Sequence, residues 1–194
     1  MDRKIKVMLV EDDTDFAFLI QKIIDKDKRL NFVGHAARKK QSIEMARELN
    51  PDVVLMDLNL SNSELDGIEA AREIRLTTDS KVILFTSFEQ EETVLNASKQ
   101  SFASGYIFKS HHMKIADTVY ETAVSKTPQE LFIKELLLSE LTTAERAVMK
   151  YLLEGDEYMP ASSSAKTIAN QKTNIFKKLG LRNTDELINV FKNW

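Results

Sequence analysis

Val53-Val54-Leu55-Met56-Asp57-Leu58-Asn59 is four consecutive apolar residues that give way, at Asp57, to an acid. A short apolar run without polar alternation is the mark of a strand buried on both faces, as in a parallel sheet covered by helices. Working outward, Ile5–Val10 is a second such run and also ends on acids, Glu11 and Asp12. Phe32–Ala36, Val82–Phe85 and Gly105–Phe108 complete a set of five. Between the runs, apolar residues recur at three- and four-residue spacing, as in Phe16, Leu19, Ile20, Ile23, Ile24 and in Ile68, Ala71, Ile74. Those stretches predict amphipathic helices packed on the sheet.

Five βα units in residues 1–125 predict an α/β, flavodoxin-like doubly wound (βα)5 domain, whose ligand site lies beyond the carboxyl ends of the strands. The phenylalanines at 16, 18, 85, 102 and 108 are core candidates, and His35 reads as a packed core-edge residue of the second strand. Asp13 and Asp15 read as acids favoured by a helix N-terminus. His111 and His112 read as the start of a helix.

The chain has 194 residues, room for one large domain or two small ones. Its 43% hydrophobic and 29% charged residues exclude disorder as a description of the whole. No apolar run approaches the roughly 18 residues of a membrane span. Only four apolar residues separate Lys6 from Glu11, too few for a signal peptide, so a cytoplasmic location is expected. The absence of cysteine removes disulfides, thiol catalysis and cysteine-based zinc sites. The net charge of −3 hides a split: residues 1–125 carry 17 basic and 21 acidic side chains, and residues 126–194 carry 10 and 9. Within Ser162–Arg182 there are five basic residues and no acid.

After Val124 the strand signal stops. Thr127-Pro128 begins a helical stretch with Leu131, Phe132, Leu136 and Leu137, read as a linker over 126–140. Residues 141–194 predict a small all-α domain. Thr142 followed by Glu145 is a capping box, and Gly155 would end that helix. A further helix runs from about Ser164 to Leu179, stopped by Gly180, and the last starts near Asn183 or Thr184. Terminal Trp194 would cap that helix or serve a dimer contact.

In a parallel sheet Glu11, Asp12 and Asp57 all fall at the carboxyl edge. Three converging carboxylates repel one another and need a cation, and hard oxygen ligands of this kind suit Mg²⁺, which also accepts phosphate oxygens. Thr86 and Ser87 follow the fourth strand and Lys109 the fifth, bringing a hydroxyl and an ammonium to the same edge. Those are the groups a transferred phosphoryl group needs.

Leu9-Val10-Glu11-Asp12-Asp13, Val54 to Asn59, Phe85-Thr86-Ser87 and Gly105-Tyr106-Ile107-Phe108-Lys109 together resemble the receiver domain of bacterial response regulators. The resemblance implies Asp57 as phosphoacceptor, Asp12 as direct metal ligand with Glu11 assisting, and Asn59 lending its backbone carbonyl to the metal. It implies that Thr86 hydrogen-bonds the phosphoryl group, that Lys109 pairs with it, and that Tyr106 is an aromatic switch that turns inward when Thr86 moves. Two positions depart from the family. The loop Ser61 to Gly67 is about two residues longer than is common and lacks its usual Pro, and Ser110 stands where many members have a cis Pro.

Leu141 to Arg146 and Ser164 to Asn183 resemble the LuxR-type (NarL/FixJ-like) helix-turn-helix output domain. Lys166, Asn170, Lys172, Thr173 and Lys177 fall on a helix whose other face, Ile168, Ile175, Phe176 and Leu179, is apolar. One side would pack while the other meets DNA. The nucleic-acid-binding residues expected are Lys166, Thr167, Asn170, Gln171, Lys172, Asn174, Lys177 and Lys178. Between Gly155 and Lys166 the chain is about four residues shorter than the family's positioning helix and contains Pro160, so Asp156–Ala161 predicts a short turn or truncated helix.

The resemblance implies a transcription regulator phosphorylated by a sensor histidine kinase with Mg²⁺, acting as a homodimer on double-stranded promoter DNA. It implies a signalling module that catalyses only its own aspartyl phosphorylation and dephosphorylation. An alternative keeps the phosphorylated receiver but gives the second half protein partners in place of DNA. A small-molecule or flavin-binding flavodoxin-like protein is disfavoured, because the acid cluster repels phosphorylated cofactors unless a metal intervenes.

Overall fold

The structure, a computed structural model, describes residues 3–60, 63–87, 90–160 and 164–192. The chain divides into two compact units, Met1–Ile133 and Lys134–Trp194. The first alternates β1 (Ile5–Val10), α1 (Thr14–Lys26), β2 (Leu30–Ala36), α2 (Lys39–Leu49), β3 (Val53–Met56), α3 (Glu64–Thr77), β4 (Lys81–Thr86), α4 (Glu91–Ser101), β5 (Gly105–Phe108) and α5 (Ile115–Val124). A 3-10 segment, Lys109–Lys114, joins β5 to α5. All four strand pairings are parallel, in the order β2-β1-β3-β4-β5.

The apolar runs explain this sheet directly. Successive residues of a strand point to opposite faces, and both faces here are covered. Met8, Val10, Val54, Met56, Val82 and Leu84 face one core with Ala46, Ala71, Ile74 and Ala97 of α2, α3 and α4. Val7, Leu9, Val53, Leu55, Ile83 and Phe85 face the other, with Ala17, Ile20 and Ile24 of α1 and Ile115 and Val119 of α5. Each such side chain, fully withdrawn from water, contributes about 1.5–3 kcal/mol.

Two expectations for α1 are corrected. Phe18 is 60% exposed and Leu19 42% exposed. The buried stripe is Ala17, Ile20, Ile24, and at 100° per residue Phe18 lies well off it. Its ring carries the Lys22 ammonium at 5.0 Å instead. Ser110 does not introduce a cis bond; no peptide bond among the described residues is cis.

Helix α6 (Pro128–Leu138) starts in the first unit, with Thr127 Oγ1 accepting from the Glu130 amide at 3.2 Å, and its last residues belong to the second unit. The second unit continues with α7 (Thr143–Glu154), α8 (Ala165–Leu179) and α9 (Thr184–Phe191). The Thr142–Glu145 capping box forms as expected. Gly180 closes α8 in the left-handed region at φ 65°. Val148, Met149, Ile175, Leu179, Leu187, Val190 and Phe191 are buried, and α7 packs on both α8 and α9. Among the described residues between α7 and α8 the chain makes one 3-10 turn, Asp156–Tyr158. Ala161 and Trp194 lie outside the described residues.

Candidate functional site

Four strand ends build the site. Asp57 follows β3, and its amide extends the sheet ladder by donating to Val10 O at 2.9 Å. Glu11 and Asp12 follow β1, with the Glu11 amide on Ala36 O at 3.0 Å. Directly after them Asp13 caps α1, accepting from the Asp15 and Phe16 amides at 3.0 Å each. The acid pair is thereby held between a strand end and a helix start. One carboxylate oxygen from each of Glu11, Asp12 and Asp57 lies within 4.8 Å of the others.

Lys109, at the end of β5, reaches into this group. Its Nζ stands 2.9 Å from Asp57 Oδ2 and 2.7 Å from Glu11 Oε2. Burial raises the Glu11 carboxyl to about 7, against the pull of Lys109 and with a push from Asp57. Burial likewise raises Asp57, partly offset by hydrogen bonds from Lys109 and the Asn59 amide. Burial works to lower the Lys109 ammonium, but bonds to Glu11 and Asp57 outweigh it and the net shift is upward. One ammonium among three carboxylates leaves excess negative charge at a partly buried point. That donor set fits a small hard cation.

Thr86 is buried and is the last residue of β4, one position earlier in the local geometry than a residue following the strand. Its register partner across the sheet is Phe108, the residue before Lys109. Tyr106 is half-buried against the helical core, its ring 5.6 Å from Phe108. The Asn59 amide donates to Asp57 Oδ1 at 3.2 Å, curling the loop over the carboxylate. Ser61 and Asn62 of the long loop lie outside the described residues, but Leu60 and Ser63 pair across it, the Ser63 amide donating to Leu60 O at 2.9 Å. Gly67, at the loop's far end, lies against the Asp57 and Leu58 backbone. A Cβ there would meet Asp57 O at 2.3 Å and Leu58 O at 2.5 Å.

Three contributors have no signature in the sequence. His35 Nε2 donates to Glu11 O at 2.7 Å, which a carbonyl acceptor requires, so this histidine straps the acid pair as well as packing. Phe16 and Phe85 stack with ring centroids 5.5 Å apart. The Lys109 ammonium stands 4.9 Å from the Phe16 centroid and 5.9 Å from that of Phe85. His112 Nδ1, 3.1 Å from Lys109 O, fixes the strand end from the other side.

In the second unit Lys166, Thr167, Asn170, Asn174 and Lys177 are exposed on α8, while Gln171 and Lys172 are half-buried. Lys172 Nζ lies 5.5 Å from the Phe176 ring. Thr167 belongs to the first turn, its amide donating to the Ser164 cap at 3.1 Å. Lys178 is exposed on α8 as well, and its Nζ is 2.7 Å from the buried Glu145 carboxylate of α7. That bond, with those from Thr142, lowers the Glu145 carboxyl.

Residues 7–119 match the model of the response regulator receiver domain, which is more than half of the chain. The chain belongs to the response regulators. Similarity to curated regulators runs beyond the receiver: response regulator protein VraR of Staphylococcus aureus is 29% identical over 206 residues, 97% of each chain. The transcriptional regulatory protein YdfI of Bacillus subtilis is 24% identical over 203 residues, 95% of this chain and 94% of its own. Among solved structures, a LuxR-family two-component response regulator from Aurantimonas sp. SI85-9A1 superposes with a TM-score of 0.58 and 27% identity, over 69% of this response regulator and 98% of that chain. The RcsB response regulator of Salmonella typhimurium shares the fold over 97% of this chain and 98% of its own, with a TM-score of 0.57 and 21% identity. The first unit therefore carries the receiver domain of a family of signalling proteins, and the helical second half shares its fold with that of a full-length response regulator. Among the described residues no helix is long and apolar enough to cross a membrane.

Proposed function

We propose that Asp57 accepts a phosphoryl group from a sensor histidine kinase and that the modification controls dimerisation and promoter binding through α8. The observation that carries this reading is the Asp57 carboxylate, at one strand end, flanked by the Lys109 ammonium at 2.9 Å and by Glu11 and Asp12 within 4.8 Å. Glu11, Asp12, Asp57 and the Asn59 carbonyl would hold Mg²⁺, which supplies charge neutralisation for the phosphoryl oxygens. In the transfer an Asp57 oxygen forms the new bond to phosphorus while the bond from phosphorus to the donor breaks. Lys109 pairs with the incoming charge, and Thr86, at the end of β4, donates its hydroxyl. Tyr106 then follows Thr86 inward.

Mass spectrometry after incubation with Mg²⁺ and acetyl phosphate tests the first half of the reading. One added phosphoryl group, abolished in Asp57→Ala, is the expected result. An unmodified wild type refutes it.

A second reading is favoured by the short 3-10 turn Asp156–Tyr158 and by the engagement of Lys178 with Glu145. In it the second unit binds a protein partner and no longer reads DNA. Binding to promoter fragments at several salt concentrations separates the two, because affinity carried by phosphate contacts falls steeply with salt.

A further inference from the structure

The receiver unit ends in an arrangement that the phosphorylation site does not use. β5 is an edge strand, so outward-facing backbone groups along it have no partner strand. The Tyr106 amide instead donates to Gln129 Oε1 of α6 at 3.1 Å. Gly105 makes room for this contact: a Cβ there would stand 2.8 Å from the same oxygen. The next residue, Glu130, is 1% exposed. Its carboxylate takes the Lys81 ammonium of β4 at 3.0 Å, and Lys81 also reaches Ser125 O at 3.4 Å. Behind it lies Arg75, fully buried, hydrogen-bonded to Phe102 O and Ser80 O at 3.0 Å each and drawn electrostatically to Glu130 and Asp79.

A carboxylate buried to this degree is tolerated only with its cations in place. The first turn of α6 is thus seated at one position on the β4–β5 edge. β5 also leads directly into Lys109, three residues after Tyr106, and Lys109 pairs with Asp57. A single four-residue strand therefore connects the acid cluster to the helix on which the chain passes into its second unit.

We infer that Gln129 and Glu130 form a clasp that ties α6 to β5, and that the Tyr106–Gln129 bond relays the state of Asp57 to α6. Glu130 with Lys81 anchors the helix, and Gln129 senses the strand. The relay rests on the proposed phosphorylation of Asp57. The clasp itself does not.

Amide hydrogen exchange on the full-length protein, with and without Mg²⁺ and acetyl phosphate, tests both parts. Without phosphodonor, Gln129→Ala should speed exchange of the Tyr106 amide roughly tenfold, the loss of one half-buried bond, while Gln129→Glu, which keeps an acceptor oxygen, should stay near wild type. Unchanged exchange in Gln129→Ala overturns the clasp. With phosphodonor, wild type should change its exchange both around 105–109 and within 129–138. Gln129→Ala should incorporate phosphate equally and respond at 105–109, yet lose the response within 129–138. An equal response in that variant overturns the relay and leaves the phosphorylation reading standing. Wild type that takes up no phosphate refutes that reading and the relay together, and the basal arm still decides the clasp.

Discussion

Lys109 Nζ lies 2.9 Å from Asp57 Oδ2, joining residues 52 positions apart in sequence at the carboxyl edge of one sheet. The same ammonium bonds Glu11, so one cation restrains two buried acids. Lys109→Met should therefore destabilise the receiver by about 3 kcal/mol at pH 7.5, the scale of breaking a buried ion pair. The loss should shrink at pH 5, where Glu11 is protonated and one of the two acids no longer needs the ammonium. Urea unfolding at the two pH values measures it, and a loss equal at both would contradict the pairing.

Glu11 gives the pH dependence its sign. Its carboxyl is raised from 4.5 to about 7, chiefly by burial, so between those values the folded state holds the proton more firmly than the unfolded chain does. The corresponding stability is complete below pH 4.5 and is lost as pH rises through 7. Glu11→Gln removes this dependence and should exceed wild type by up to about 3 kcal/mol at pH 8 without divalent cation. Added Mg²⁺ should stabilise wild type increasingly from pH 5 to 8, because the ligand must first lose its proton. Thermal unfolding across that range, with Mg²⁺ or a chelator, shows whether the gap widens.

Gly67→Ala forces a methyl into the Asp57 and Leu58 carbonyls at 2.3 and 2.5 Å. Backbone on both sides cannot yield as a flexible side chain would. The expected cost is about 3 kcal/mol, together with slower phosphate incorporation as Asp57 shifts. A variant with wild-type unfolding midpoint and wild-type labelling rate would show that the α3 start moves aside easily.

Lys177 and Lys178 are adjacent yet differ in what they do. Lys178→Ala strips the buried Glu145 of its ammonium and should cost the second unit about 2 kcal/mol. Lys177→Ala should leave stability unchanged within about 0.5 kcal/mol. If α8 contacts DNA phosphates, Lys177→Ala lowers the salt slope of binding by about 1. Calorimetry and salt-dependent fluorescence anisotropy together check the division.

The strand Val53–Met56 was legible to the residue because burial on both faces leaves an uninterrupted apolar run, and Ile5–Val10 and Gly105–Phe108 were legible from short, mostly apolar runs that end at Glu11 and Lys109. β2 begins earlier than the run, at Leu30-Asn31, where pairing with Ile5 and Lys6 extends a segment that is not itself apolar. Phe18 misled because hydrophobicity says nothing about which side of a helix meets the core; Ala17 does that here. The meeting of Glu11, Asp12, Asp57 and Lys109 followed from strand-end position alone. His35 on Glu11 O and Gln129 on the Tyr106 amide did not, since an imidazole or amide carries no mark of a backbone partner 23 or 24 positions away. The ion pair of Lys178 with Glu145 shows the same limit: a lysine on a helix carries no mark in sequence of an acid on the neighbouring helix.

Gly67 and the Leu60–Ser63 pairing together have a consequence for how this loop can vary in length. The chain is pinched shut between 60 and 63, and its far end is seated on the carbonyls of Asp57 and Leu58. With Leu60 and Ser63 bonded to each other, a chain made longer between positions 60 and 63 keeps the same path from Asp57 to α3. Asp57 is thereby insulated from insertions only a few residues downstream, and loop length at this point is open to variation that the sheet edge never feels.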